Sequence, residues 1–200
     1  MDYNIIIETL QDRYQQFFDE KIESEDLKLL LPITQIRMFS KGEIIMGIRQ
    51  KLINTGLVLS GIVRSYYLDM EGNEVTKNFH RDGWIIMDEG LLGYENSICA
   101  FEAIEDATIM FMNTEKLKQL VKTNETFKNI YITCLEQGLR YKIYRESEFL
   151  LKNATERYLQ FCNDYPELEE RVKQTYISTY LGITPESLSR IRKSLKDESR

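Results

Sequence analysis

Apolar side chains recur along the chain with two different periods, and the change between them predicts where helices and strands lie. Residues 3–31 follow helical spacing up to Pro32. Over residues 33–112 the pattern becomes short alternating runs separated by turn signals such as Glu71-Gly-Asn73, which is typical of strands. Strands are predicted at 33–39, 43–47, 56–60, 63–69, 74–79, 84–87, 99–104 and 107–112. Their regular spacing, with helices on both flanks, favours a jelly roll over a doubly wound α/β sheet.

A long uninterrupted helix is predicted after the strands. Helical spacing returns at Thr114, which starts a first helix to Lys122, and the segment 124–152 contains no proline. About 28 residues of helix would span about 42 Å, which is more than a small domain can bury on itself. We therefore predict that one apolar stripe faces its own subunit and an adjoining one faces a symmetric mate, the alternative being a helix packed wholly along its own strands. The residues predicted to contact the mate are Phe127, Tyr131, Cys134, Leu135, Leu139 and Tyr141.

Two short helices with a tight turn between them are predicted over residues 174–195. The first presents an apolar face and ends at Gly182, since glycine tolerates the positive φ that such a turn requires. Thr184 as N-cap and Pro185 at the first helical position mark the start of the second helix. Another helix, over 153–163, precedes the pair. The pattern is a helix-turn-helix, and the alternative is an αα-corner of a helical domain.

The outer face of the second helix carries polar side chains that suit DNA. Apolar residues recur at i, i+3 and i+7 from Leu188, so Glu186 and Arg190 point away from the core. An α-helix fits the major groove, where a glutamate can accept from cytosine and an arginine can donate twice to guanine. The residues predicted to contact DNA are Thr175, Thr184, Pro185, Glu186, Ser187, Ser189, Arg190 and Lys193.

The distribution of charge favours the same interpretation. From Arg171 onward the chain has seven Lys/Arg and three Asp/Glu, a net of +4, so the rest carries −10 of the total of −6. A basic end on an acidic protein is expected when one module binds a polyanion. The predicted partner is therefore double-stranded DNA.

Composition argues against several other classes of protein. The chain is 42% hydrophobic and 29% charged, which is typical of a core-forming protein. It shows neither a basic leader nor 18 consecutive apolar residues, so we expect a cytoplasmic protein without a membrane partner. Its cysteines, Cys99, Cys134 and Cys162, are far apart, which disfavours disulfides and clustered metal ligands.

We predict no enzymatic activity, no cofactor and no metal site. The lone His80 is expected to be a surface or packing residue, and one histidine cannot supply a Ser-His-Asp set. No glycine-rich phosphate loop occurs. A cupin-like enzyme would share the jelly roll, but it needs a cluster of histidine and glutamate ligands.

The segment from Tyr176 to Arg192, YISTYLGITPESLSRIR, resembles without gaps the DNA-binding motif of the Crp/Fnr family of bacterial transcription regulators. The order of β roll, long helix and helix-turn-helix is similar to that family over the whole chain. The resemblance implies that Glu186 and Arg190 read bases. It also implies a homodimer on an inverted-repeat operator, a cyclic-nucleotide-type β roll, and RNA polymerase and a small-molecule effector as further partners.

Three features depart from the family pattern. Ser97 stands where nucleotide-binding members place the arginine that pairs with the cyclic phosphate, and no basic residue lies between Arg81 and Lys116. The N-terminal cysteine cluster of oxygen-sensing members is absent, and the chain ends at Arg200, before the expected β-hairpin wing. We therefore expect an effector that is not cyclic AMP. Its predicted pocket consists of Trp84, Met87, Asp88, Glu89, Ser97 and Ile98.

The predicted fold class is α+β, with three parts. They are an N-terminal β-roll or jelly-roll sensor domain over 1–113, a helical segment with the long dimerisation helix over 114–152, and a helix-turn-helix DNA-binding domain over 153–200. The predicted function is sequence-specific, homodimeric transcription regulation. The alternative is a cyclic-nucleotide-type sensor module that acts mainly through a protein partner.

Overall fold

Two four-stranded sheets make up the β region. The computed structural model describes residues 7–8, 10–12, 15 and 22–198. The strands are β1 Thr34–Phe39, β2 Ile44–Met46, β3 Asn54–Ser60, β4 Val63–Leu68, β5 Glu74–His80, β6 Ile85–Ile86, β7 Ala100–Ala103 and β8 Ala107–Asn113. One sheet has the order β1-β8-β3-β6 and the other β2-β7-β4-β5. Each predicted strand is present, and the jelly roll expected from the sequence is confirmed.

Helices precede and follow the strands. Residues 7–8, 10–12 and 15 are helical, whereas Ile6, Tyr14 and Phe17, which the sequence also assigned to this helix, lie outside the described residues. The helices that follow are α1 Ser24–Lys28, α2 Thr114–Thr123, α3 Glu125–Leu151, α4 Ala154–Asp164, α5 Leu168–Arg171, α6 Gln174–Leu181 and α7 Pro185–Glu198. The predicted long helix corresponds to α3, and the predicted helix-turn-helix corresponds to α6 and α7.

Strand β8 separates two apolar clusters. Ile109 and Phe111 belong to the interior of the roll, in a cluster that also contains Phe101. Met110 and Met112 belong to a second cluster, which includes residues of the helices, because successive side chains of a strand point to opposite faces. The sheet that contains β8 is therefore apolar on both faces, and one of these faces is covered by helices.

Two helix starts differ in how well the sequence predicted them. The N-cap of α2 is Asn113, whose side chain accepts from the backbone N–H of Lys116 at 3.0 Å. The helix begins at Thr114, as predicted, but Thr114 is not its cap: the residue is buried, with its hydroxyl 3.2 Å from the hydroxyl of Thr55. At α4, Asn153 and Glu156 form the reciprocal capping box.

The chain divides into two compact units. The first comprises Met1–Ser65 and Phe79–Cys134, and the second comprises Tyr66–Asn78 and Leu135–Arg200. The division falls inside the β4–β5 hairpin and inside α3, whereas the sequence predicted boundaries at 113 and 152. In the described part of the chain, no helix has the length and apolar character needed to cross a membrane.

Candidate nucleic-acid interface

The turn between α6 and α7 is built around Gly182. Gly182 has φ +68°, in the left-handed region that favours glycine. The backbone N–H of Ile183 donates to the carbonyl of Ser178 at 3.0 Å, which satisfies one of the last carbonyls of α6. A Cβ atom at position 182 would lie 2.8 Å from a ring carbon of Phe149. Only glycine fits here without displacing that ring.

The start of α7 is capped as the sequence predicted. The hydroxyl oxygen of Thr184 accepts from the backbone N–H of Ser187 at 3.2 Å. Pro185 is the first residue of the helix. The hydroxyl of Thr184 is thus already engaged within the domain.

The outer face of α7 presents its polar side chains to solvent. Leu188, on the inner side of the helix, is fully buried, whereas Glu186, Ser189, Arg190 and Lys193 are exposed. Arg190 donates from Nη2 to the hydroxyl of Ser187 at 3.2 Å. The pKa of Glu186 is lowered by its own backbone N–H, then by the Thr184 hydroxyl and by the charge of Arg190. The face therefore combines an ionised carboxylate acceptor with a guanidinium donor.

Two further residues of the candidate interface, Lys173 and Thr175, lie at the start of α6. Thr175 is exposed in the first turn of α6. Lys173, which the sequence analysis did not single out, is the exposed N-cap of the same helix, and its Nζ lies 5.1 Å from the ring centroid of Tyr176. In the sequence, Lys173 was indicated only as one of the seven basic residues from Arg171 onward.

Arg192 has a different role from Arg190. Its Nη2 lies 3.1 Å from Glu169 Oε1, and the hydroxyl of Tyr158 donates to the same oxygen. Burial, followed by this hydrogen bond, raises the pKa of Tyr158. Glu169 therefore ties α7 to α4 and α5, and Arg192 helps to hold α7 in its own domain.

An apolar stripe is exposed on α3 between Leu135 and Leu150. Leu135, Leu139, Ile143 and Leu150 have exposed fractions of 42%, 60%, 57% and 75%. Their spacing of four, four and seven residues places them on one side of the helix. In the N-terminal part of α3, Ile132 is 44% exposed.

The predicted contacts with a symmetric mate need a correction at Phe127. This side chain is 4% exposed and belongs to the cluster between the sheet and the helices of its own chain, so its assignment to a dimer interface is wrong. The start of α3 is held there because Asn124 and Thr126 both donate to the carboxylate of Asp26, at 2.9 and 2.7 Å.

The other five predicted contacts do not share one environment. Leu135 and Leu139 are exposed, whereas Tyr131 and Cys134 are half-buried, and burial raises the pKa of the Cys134 thiol to about 11. Tyr141 is half-buried as well. Its hydroxyl donates to Asn78 Oδ1 at 2.9 Å and lies 3.1 Å from the Tyr180 hydroxyl, within the second unit.

The predicted effector residues face in different directions. Met87, Glu89 and Ser97 are buried, Trp84 is half-buried, and Asp88 and Ile98 are exposed. Met87 is part of the roll's apolar core, whereas the sequence had assigned it to the effector pocket. The Ser97 hydroxyl donates to the carbonyl of Cys99 at 2.5 Å, and the Cys99 thiol donates to Glu89 at 3.4 Å. The polar groups of this segment are thus used inside the roll.

Two polar side chains of the roll are buried, and the sequence did not predict the burial of Arg64. Arg64 is fully buried, and its Nη1 lies 3.0 Å from Glu102 Oε2. His80 is 7% exposed, with its Nε2 2.9 Å from the Ser65 hydroxyl. Of the two alternatives for His80, packing is confirmed.

The comparisons with known proteins agree with this architecture. Residues 36–124 match the family model of the cyclic nucleotide-binding domain. The comparison with curated proteins finds no match.

Among solved structures, the chain is similar to FixK2 from Bradyrhizobium japonicum, with 22% identity and a TM-score of 0.75, covering 84% of this chain and 86% of that one. It is similar to CLP, the c-di-GMP responsive global regulator from Xanthomonas campestris, with 16% identity and a TM-score of 0.73 over 88% and 93% of the two chains. A protein from Eubacterium rectale described as a transcriptional regulator of the Crp/Fnr family gives 19% identity and a TM-score of 0.73, over 94% and 88%. At these identities the likeness shows a shared fold, and two of the three neighbours are described as regulators.

Proposed function

We propose that this chain, which has the Crp/Fnr fold with a cyclic nucleotide-binding domain, is a sequence-specific, homodimeric DNA-binding transcription regulator. Its effector is not cyclic AMP. RNA polymerase is a further partner of such a regulator, and Glu186 and Arg190 read bases in the major groove.

The outer face of α7 is the observation that carries the proposal. The carboxylate of Glu186 can accept from the amino group of cytosine, and the guanidinium of Arg190 can donate to both acceptors of guanine. Lys193 and Lys173 are exposed cations beside this face, suited to phosphates. Thr175, Ser187 and Ser189 add hydroxyl groups, while Thr184 and Pro185 fix the helix start.

The exposed stripe on α3 supports the homodimer. Leu135, Leu139 and Ile143 would cost free energy if left in water along an isolated helix, and burying them against a second copy removes that cost. Paired recognition helices meet successive major grooves about 34 Å apart. The operator should therefore be an inverted repeat with half-sites about one helical turn apart.

Cyclic AMP is excluded because the segment that contains Ser97 supplies no cation for its phosphate. Residues 82–115 contain no basic side chain, and the Ser97 hydroxyl is engaged by a backbone carbonyl. An anion that is buried without a paired charge loses its hydration without compensation.

Selection of bound sites from random duplex DNA with the purified protein tests the proposal directly. We expect an inverted repeat in which each half-site contains a guanine and a cytosine within reach of Arg190 and Glu186. Recovery of unrelated sequences, with equal affinity for selected and scrambled duplexes, would refute sequence-specific binding.

Leu139→Glu tests the homodimer. The new carboxylate would be buried unpaired at the symmetry axis and would weaken association by several kcal/mol, on the order of 3 to 5. Light scattering should report a monomer, and affinity for the inverted repeat should fall by about 100-fold or more. Gln137→Glu adds the same charge at an exposed position off the stripe and is the matched control. A Leu139→Glu protein that remains dimeric would exclude this stripe as the interface.

A second candidate function is favoured by the family-model match over residues 36–124. In this alternative the roll binds a cyclic nucleotide and the chain acts mainly through a protein partner. Calorimetry with cyclic AMP separates the two. We expect no heat of binding at micromolar concentrations, and micromolar affinity together with no selected DNA would favour the alternative.

A further inference from the structure

Two arginines converge on the C-terminal end of α6. Arg145, from α3, donates from Nη2 to the carbonyl of Tyr180 at 2.8 Å. Arg157, from α4, donates from Nε to the carbonyl of Leu181 at 3.1 Å. The last carbonyls of a helix lack intrahelical partners, and this end carries the negative pole of the helix dipole. The first helix of the helix-turn-helix is thus capped by charges from two other helices.

Phe149 lies between the two guanidinium groups. Its ring centroid is 4.9 Å from Arg145 Cζ and 5.1 Å from Arg157 Cζ. Arg145 also stacks over the ring of Tyr180, at 3.8 Å from the centroid. Contacts of this length are attractive cation–π interactions. The same phenylalanine packs against Gly182, so it also touches the turn that leads into the recognition helix.

Other contacts hold both arginines in place before any ligand arrives. Nη1 of Arg145 lies 3.2 Å from the carboxylate of Glu148, which is 3% exposed and also pairs with Lys152 at 3.3 Å. Nη1 of Arg157 donates to the carbonyl of Lys152 at 2.7 Å. Each guanidinium therefore joins the end of α3 to the end of α6. Such fixed, multiply bonded geometry is better suited to holding an orientation than a single flexible contact.

We propose that Arg145, Phe149 and Arg157, here called the arginine clamp, are positioning residues that set the orientation of α6 and α7 on the C-terminal half of α3. This inference rests on the proposed function. The same half of α3 carries the exposed stripe for the mate, so the clamp lies between the dimer contact and the recognition helix. An angular error at the clamp becomes a change in the separation of the two recognition helices. The clamp thereby determines which half-site spacing the dimer accepts.

The first test compares Arg145→Ala with Arg140→Ala, which removes the same charge from an exposed position of α3. Fluorescence anisotropy is measured on the selected inverted repeat, on repeats with one base pair added or removed, and on a single half-site. The clamp combines cation–π and helix-end contacts, so we expect Arg145→Ala to lose about 10-fold on the inverted repeat. Half-site affinity should stay within about twofold, and the spacing preference should flatten. Arg145→Lys should rescue part of the loss.

A merely structural role predicts a different result. In that case Arg145→Ala would lower the melting temperature and weaken binding to the half-site and the repeat equally, which would overturn the inference. A wild-type protein that binds no selected duplex would instead refute the proposed function.

A measurement without DNA distinguishes failure of the clamp proposal from failure of the proposed function. Spin labels are placed at Gln137→Cys and Ser189→Cys in one chain, with Cys134 and Cys162 replaced by serine, and the labelled chain is diluted with unlabelled protein. Dipolar distances between the labels report the orientation of α7 on α3. We expect Arg145→Ala to broaden the distribution and Arg140→Ala to leave it unchanged. An unchanged distribution in Arg145→Ala would exclude the clamp.

Discussion

The outer face of α7 and the segment 84–98 of the β roll use their polar groups in opposite ways. On α7, Glu186 and Arg190 point to solvent with only short-range contacts to their own helix. In the roll, Ser97 and Glu89 are buried, and each hydrogen-bonds to Cys99, directly after this segment. Donors and acceptors that are hydrated can exchange their water partners for polar groups of a ligand at little cost in free energy. A segment that has already paired them inside the fold must first break those bonds.

This difference separates stability from recognition. Substitutions of the exposed residues of α7 should change DNA affinity with little effect on unfolding, and substitutions of the buried residues in the segment 84–98 should do the reverse. The predictions below test that separation, beginning with the largest effect.

Met87→Ala should have the largest effect, and it should be on stability. Met87 is fully buried in the core of the roll, so truncation leaves a cavity and should lower the free energy of unfolding by about 2 to 5 kcal/mol. Denaturant unfolding measures this loss, with Ile98→Ala as the exposed control. DNA affinity at a temperature where the variant is folded should be unchanged. A large loss of affinity in the folded variant would break the separation.

Arg190→Ala should cost about 1 to 3 kcal/mol of binding free energy on the selected site and relax the preference at one base pair per half-site. Its free energy of unfolding should match that of the wild type. Lys193→Ala is the control, because loss of a phosphate contact weakens all sequences similarly and reduces the salt dependence. Equal losses from Arg190→Ala on specific and scrambled duplexes would contradict base reading.

Thr184→Ala should mainly affect stability although the residue lies beside the exposed polar face of α7. Its hydroxyl accepts from the backbone N–H of Ser187, and loss of such a cap costs about 1 kcal/mol. Ser189→Ala removes an exposed hydroxyl of the same helix and should change stability by less than about 0.5 kcal/mol. Thermal unfolding of the two variants decides whether the caps or the outward groups support the helix.

The pH dependence of recognition should be the smallest effect. The folded-state pKa of Glu186 lies below its ordinary value of 4.5, so the favourable contacts of its carboxylate are present above that value and are lost as pH falls through the lowered pKa. Preference at the contacted cytosine should therefore be constant between about pH 5.5 and pH 8. Binding to matched duplexes across this range measures it, with Glu186→Ala as the reference. A preference that declines between pH 8 and pH 6 would point to another titrating group.

The sequence by itself was sufficient for the strands, the long helix and the helix-turn-helix. These depend on short-range physics. Alternation along a strand is visible within six residues, and the start of α7 depends on Thr184 and Ser187, three positions apart. The exposed side of α7 follows from helical spacing once Leu188 is recognised as buried. The exposed polar face of α7 could therefore be predicted residue by residue.

Only the tertiary structure decided how the long helix and the pocket residues are used. Phe127 and Leu139 are equally apolar, and periodicity cannot distinguish burial in the chain's own core from exposure to a mate. The helix start at Thr114 was predicted, but the contact of its hydroxyl with Thr55, which is far away in sequence, was not. The arginine clamp likewise joins Arg157 to Leu181 across 24 residues. Such contacts depend on which distant segments the fold brings together, and no local pattern encodes that choice.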